Sequence, residues 1–365
     1  MFAFAGWRFA VSSPSLQGLA SNVAGVASTS GAPALFGAQQ PEAPRVDPAV
    51  LGDLGEAPEP RQRYPHIVPQ QGEAIPGVTH SFRFEGKEYT VAVAIDPALY
   101  WGAAASERVI STTSSESPGE RDTAINRYMV QDPLQAQVID DVCAKLREIA
   151  NREDLSSDRY VELIAKYVQS MPYDFDKLAN PNATARFPVE TLVDRIGVCS
   201  DKSMLMVALL AHEGYDVALL TFDAEKHMTA AIKGPGETYG NSGYLLIEST
   251  SPAYIAEIPK RFISGVSLQS EPHVIPIGTG DTPYGSAGRT ARILAAREGA
   301  QSAAEALSAD SQGRAFTQEQ ANEINARLQT AYESQFMFSV IKGHEDKFLD
   351  SKQAERWIQK NCWWD

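Results

Sequence analysis

An α+β fold is the class this sequence predicts, and three observations predict it. Apolar residues recur at helical spacing over 138–149, 160–171 and 204–210. Three short apolar segments follow, Tyr215 to Phe222, His227 to Lys233 and Tyr244 to Thr250. The connections between them are short and polar, which favours antiparallel neighbours over crossovers. The expected architecture is therefore helices first and a β-meander second, with the helices packed on an antiparallel sheet.

Each element follows from local patterning. Residues 1–76 are rich in Ala, Gly, Ser and Pro, and eight prolines fall between Pro41 and Pro76. That density prevents regular helix or a central strand, so the segment reads as a leader or linker. From His80 apolar and polar residues alternate on either side of Glu85-Gly86-Lys87, the signature of a β-hairpin. Residues 103–125 read as loop, and the hairpin and loop together make a segment over 77–129.

The core is expected over 130–263. Asp132-Pro133 supplies a cap and a first-turn residue for a helix whose buried stripe is Val138, Val142, Leu146 and Ile149. A second helix follows Ser156-Ser157, with Tyr160, Ile164, Tyr167, Val168 and Met171 on one face and Pro172 as its stop. Residues 174–187 read as loop. A third helix runs from Ser200 to about Glu213 and ends at Gly214, a suitable residue for the left-handed position beyond a helix.

Past Ile263 the chain loosens into Gly, Ser, Thr and Pro, so 264–289 is assigned to a flexible linker. Residues 290–365 carry Ala- and Glu-rich helical patterns, including a capping-box signature at Thr317 and Gln320 and a short helix over 351–361. They read as a helical appendage, a docking arm for a protein partner.

Composition narrows the function. The chain of 365 residues has a formal charge of −14, and no Lys/Arg run appears, so a nucleic-acid surface is not expected. No apolar span reaches the length of a transmembrane helix. The three cysteines, Cys143, Cys199 and Cys362, are too few and too scattered for a disulfide framework or paired zinc ligands. That leans towards the cytoplasm, with export left open. Neither a metal nor a cofactor is expected.

Cys143 shares a helical face with Ile139 and Leu146 and reads as core packing. Cys362, beside Trp363 and Trp364, has no base upstream. Cys199 is different: it lies in Arg-Ile-Gly-Val-Cys-Ser-Asp-Lys-Ser (195–203), where a glycine-bounded loop enters an apolar helix. Free N–H groups and the positive end of the helix dipole favour a thiolate there, and Lys202 adds a nearby positive charge.

A thiol nucleophile needs an imidazole to carry the proton and an acid to orient the imidazole. His227 opens one of the last two apolar segments and Glu248 lies within the other, so Cys199, His227 and Glu248 occur in the order of a thiol triad. The bland readings stand beside these. His227 is otherwise a buried strand histidine with no role, and Glu248 the one polar position of a half-buried strand. Asp201 reads as a first-turn acid favoured by the helix dipole, and His212 as a last-turn base serving its other end.

Gly197-x-Cys199-x-Asp201-Lys202-Ser203, the apolar helix ending Gly214-Tyr215, Lys226-His227-Met228 and Tyr244-Leu-Leu-Ile-Glu248-Ser-Thr250-x-Pro252 together resemble a microbial transglutaminase-like domain over about residues 130–260. Tyr167 to Asp176 and Phe187 to Leu192 are similar to stretches that precede the cysteine in such proteins. The resemblance implies a papain-like fold. It carries over Cys199 as nucleophile, His227 as general base and acid, and Glu248 as orienting acid. Acyl transfer through a thioester is then expected on a peptide or protein substrate, either as hydrolysis (peptidase-like) or as transglutaminase-like transfer. Many members have Asp at the position of Glu248, and many have an aromatic residue soon after the histidine, where this chain has Met228 and Thr229. The alternative is an inactive module that keeps the fold to bind a protein.

Overall fold

The computed structural model describes residues 64–84, 87–108 and 117–288, together with 290, 291, 294, 295 and 298. The expected helices at 317 and beyond, Cys362 and the first 63 residues of the leader lie outside the described residues.

The hairpin forms where alternation demands it. Strand β1 (Val78–Phe84) pairs antiparallel with β2 (Lys87–Val93), and Phe82 faces Tyr89 across the ladder. Val78, Phe82 and Phe84 from one strand and Tyr89, Val91 and Val93 from the other point to the interior, as period-two patterning requires.

The stretch read as loop at 103–125 is not all loop. Helix α1 (Pro97–Ala105) starts on the Asp96 cap, and α2 (Pro118–Val130) starts on a capping box in which Ser117 and Glu120 satisfy each other's backbone N–H groups. The capping signature Ser-Pro-Gly-Glu was present in the sequence. The weak apolar periodicity of α2 hid it.

A 3-10 turn (Pro133–Gln135) on the Asp132 cap leads into α3 (Ala136–Arg152), and all four expected stripe residues are buried. Helix α4 (Ser157–Gln169) begins on the Ser156 cap. The expected loop at 174–187 contains one short helix, α5 (Phe175–Ala179), and α6 (Pro188–Asp194) follows it.

Helix α7 (Cys199–His212) is buried along nearly its whole length. Its apolar side chains point all round rather than to one face, which is the mark of a helix enclosed by protein. Helices α2, α3, α4 and α6 pack on it from one side and the main sheet from the other. Gly214, at φ +80°, ends it in the left-handed region.

The three expected strands form as β3 (Val217–Phe222), β4 (His227–Ile232) and β5 (Leu245–Ile247). A fourth, β6 (His273–Pro276), pairs with β3, giving an antiparallel sheet in the order β5-β4-β3-β6. The sheet is mixed with helices in an α+β arrangement. The segment 264–289 is thus no free linker: besides β6 it places buried Tyr284, whose N–H donates to Lys233 O and whose hydroxyl donates to Glu162. An edge strand of four residues ending in proline carries almost no sequence signal.

Part of the proline-rich leader also belongs to this body. Tyr64 stacks on Tyr128 with ring centroids 4.6 Å apart, and the Ile67 N–H donates to Asp132 Oδ2 at 2.8 Å. Asp132 Oδ1 accepts from Leu134 N–H, so one buried carboxylate ties the leader to the start of α3. Replacing Asp132 by Ala leaves a buried N–H without its acceptor and should cost about 1–3 kcal/mol. Urea denaturation of Asp132→Ala would check this, and an unchanged midpoint would rule the anchor out.

Candidate active site

The approach to Cys199 is set by backbone geometry. Helix α6 ends at Arg195 with φ +55°, and the chain then runs extended to Val198 before α7 begins. Gly197 N–H donates to Pro172 O and Asp174 N–H to Gly197 O, so residues 172–174 pin the loop in front of the cysteine. Gly197 has a steric reason: a Cβ there would stand 2.8 Å from Asp201 Cβ and 3.3 Å from Lys202 Cγ.

Asp201 is more than a dipole-favoured first-turn acid. It is 0% exposed and accepts from Val198 N–H, Arg186 N–H, Arg186 Nη1 and Lys177 Nζ, at 2.8–3.2 Å. Two cations and two backbone donors compensate its charge, as a buried carboxylate requires.

Lys202 also departs from expectation. It is 0% exposed and turned inward, with Nζ donating to the carbonyls of Met171 (2.7 Å), Thr250 (3.2 Å) and Gln169 (3.3 Å). Burial lowers this ammonium to about 7, while the charge of Glu248 draws it up. Three carbonyl acceptors favour the ammonium, the form with three donors and no lone pair.

Ser203 completes the sequence. Its hydroxyl lies 3.2 Å from Met228 O and 2.9 Å from Ser249 Oγ, which holds the residues after His227 and after Glu248 beside each other. Consecutive residues therefore fasten three segments to the start of α7: the 174–198 loops, the 248–251 turn and the start of β4.

Cys199 occupies the first position of α7, 9% exposed. Burial pushes its thiol up, whereas the N–H groups of Met228 and Ser200 pull it down and the charges of Asp201 and Glu248 add to the rise. The expected thiolate-favouring effect of the helix start is present but loses to desolvation in this closed site. The Met228 N–H beside the sulfur sets the cysteine against the strand that His227 opens.

His227 is 5% exposed, with Phe262 packed on its ring at 4.4 Å between centroids. Neither ring nitrogen has a hydrogen-bond partner. Burial lowers the imidazole from 6.5 to about 4, only weakly opposed by Glu225. Phe262 sits on a turn closed by Phe262 N–H to Val266 O and Gly265 N–H to Phe262 O, each 2.8 Å. That aromatic shield was not foreseen, because it comes from a loop 35 residues downstream of the histidine.

Glu248, 0% exposed, lies just beyond β5. Its Oε1 accepts from the N–H groups of Thr250 (2.5 Å) and Ser251 (3.0 Å) and from the Thr250 hydroxyl, while Oε2 has no partner. Burial raises the carboxyl and these donors and Lys202 lower it. The solvent-facing reading of Glu248 is excluded. The structure brings Cys199, His227 and Glu248 to one end of α7 but leaves the hydrogen bond between His227 and Glu248 unmade.

A second cluster lies at the far end of α7. Cys143, His212 and Glu213 place their candidate ligand atoms within 4.8 Å of one another. Each has protein partners: Arg147 Nε faces Glu213 Oε1 at 3.1 Å, His212 Nε2 faces Asp140 Oδ1 at 3.0 Å, and Cys143 Sγ donates to Leu209 O at 3.7 Å. Burial raises the Cys143 thiol. The rise of α7 separates this cluster from Cys199 by about 20 Å. Cys143 is core, as its spacing implied.

Residues 143–240 match the model of a family described as a transglutaminase-like domain. That stretch, about a quarter of the chain, is similar to a transglutaminase-like domain, a class that points to cysteine-based catalysis. Cys199 and His227 fall inside the matched residues and Glu248 just beyond them. No curated protein and no solved structure matched the chain.

The buried imidazole has a measurable consequence. The unfolded chain binds a proton at His227 near pH 6.5 and the folded chain only near pH 4, so acidification between those values favours unfolding. Stability should fall by about 3 kcal/mol over that window. Urea titrations of wild type and His227→Phe across it would check this, the expected result being a clearly shallower pH dependence in the variant.

Proposed function

We propose that this protein is a cysteine-dependent amide hydrolase or acyltransferase acting on peptide or protein substrates, with Cys199 as nucleophile. The observation that carries the reading is the placement of Cys199 at the start of buried α7, with the Met228 N–H beside its sulfur and His227 next along that strand. A papain-like arrangement of helix and sheet is part of this reading.

In the reaction Cys199 transfers its proton to His227, and the sulfur attacks the carboxamide carbon. Backbone N–H groups at the start of α7, that of Cys199 among them, stabilise the oxyanion. His227 returns the proton to the departing amine as the C–N bond breaks, leaving a thioester. Water, or an amine in its place, then gives up a proton to His227 and releases the acyl group from sulfur. Glu248 accepts a hydrogen bond from His227 through its free Oε2 and steadies the imidazolium. That contact and the displacement of Phe262 belong to the substrate-bound state. Hydrolysis is preferred to cross-linking, because nothing among the described residues identifies a channel for a lysine amine.

One observation favours the second reading, a protein-binding module without activity: the thiol and imidazole are both buried, and burial shifts both towards their neutral forms. An activated ester separates the two. With p-nitrophenyl acetate, a catalytic Cys199 should give a burst of nitrophenolate and an acetylated Cys199 peptide by mass spectrometry. Cys199→Ala should abolish both without unfolding, and His227→Ala should slow turnover by about 10²–10⁴-fold. Labelling of Cys199 no faster than that of core Cys143, and indifferent to His227, would favour the binding module. Adding an alkylamine to the acyl-enzyme shows whether water or amine is the acceptor.

A further inference from the structure

Lys202 is a fully buried lysine one helical turn after the cysteine, and the acyl-transfer chemistry gives it no role. Its surroundings do. Nζ donates to Gln169 O and Thr250 O. Gln169 Nε2 in turn donates to Glu248 O at 2.9 Å, and Thr250 N–H donates to Glu248 Oε1 at 2.5 Å. Two independent paths thus join the ammonium to both ends of the glutamate, its backbone carbonyl and its carboxylate. The third bond, to Met171 O, links the same ammonium to the segment that pins the Gly197 loop.

We propose that Lys202 is a positioning residue for the acid of the site: its buried ammonium holds the 248–251 turn and supplies the counter-charge for Glu248, leaving Oε2 as an acceptor for His227. This rests on the acyl-transfer reading for its functional meaning, although the pairing itself is independent of that reading. No ion pair within 4.0 Å joins the two charges among the described residues, so the ammonium acts across the Thr250 turn rather than by occupying the carboxylate. A direct salt bridge would consume the lone pairs that the imidazole needs.

The charged and titratable groups around Glu248 fix the sign of the effect. Lys202 favours the carboxylate, and so do the Thr250 and Ser251 donors, while burial opposes it. Cys199 and Tyr173 also face this end of α7 and feel the negative charge of Glu248. His227 feels Glu225 from its other side. Removing Lys202 takes away a cation, so Glu248 holds its proton to higher pH and ceases to accept from His227 until that pH is passed.

The test compares Lys202→Met with wild type in p-nitrophenyl acetate turnover as a function of pH. The acid limb should move up by about one pH unit or more in the variant, with activity recovering at alkaline pH. A rate lowered by the same factor at every pH marks damage to packing alone and overturns the proposal. Infrared difference spectra against the matching Glu248→Gln variants read the carboxyl directly near neutral pH. The carboxylic-acid C=O band should be absent from wild type and present in Lys202→Met, and a carboxylate in both overturns it.

If Lys202→Met is too unstable for turnover measurements, the double variant Lys202→Met/Glu248→Gln decides. It should recover part of the lost melting temperature, because the uncompensated acid is gone, and a double variant no more stable than the single overturns the pairing. A wild type with no burst sinks the acyl-transfer reading, while the infrared and stability measurements still judge Lys202.

Discussion

Two opposite charges buried side by side in the first turn of α7 are the constraint on which the rest of this structure depends. Asp201 and Lys202 are each fully removed from solvent. An uncompensated charge of that kind would cost several kcal/mol. Each is therefore surrounded by partners drawn from other parts of the chain, Lys177 and Arg186 around the acid and Gln169, Met171 and Thr250 around the base, with the neighbouring Val198 N–H also on the acid. The loops and turns that bound the Cys199 site are those that satisfy these charges.

The same dryness that makes the charges strong anchors also governs the cysteine and the histidine. Desolvation outweighs the favourable N–H groups at Cys199 and leaves the His227 ring without any hydrogen bond. Phe262 packs over that ring at 4.4 Å between centroids. A site closed in this way leaves hydrogen-bonding capacity unsatisfied at both His227 ring nitrogens and at Glu248 Oε2.

Much of the candidate site was legible because its signals are local. A glycine-bounded loop before a strongly apolar helical stretch placed Cys199 at a helix start. Short apolar segments placed His227 on one strand and Glu248 on the next, and the structure sets Glu248 just past the end of that strand. What escaped notice was non-local. Phe262 comes from a loop with no regular pattern, and β6 is four residues at a sheet edge. The inward turn of Lys202 depends on three carbonyls from segments separated by up to 48 residues from it. Helix α2 escaped for a different reason: its capping box was written in the sequence, but its mixed polar surface gave no stripe.

By itself, the sequence determined the α+β class, the helical stripes of α3 and α4, the burial of α7, the hairpin, the first three strands of the sheet and the order of cysteine, histidine and acid. Those features rest on backbone preference and on burial of apolar surface, both of which are encoded at short range. Only the tertiary structure decided which charges meet, which ring covers the imidazole and which effect wins at the thiol. Desolvation and electrostatic pairing depend on distances between segments remote in the chain, and no spacing along the sequence contains them.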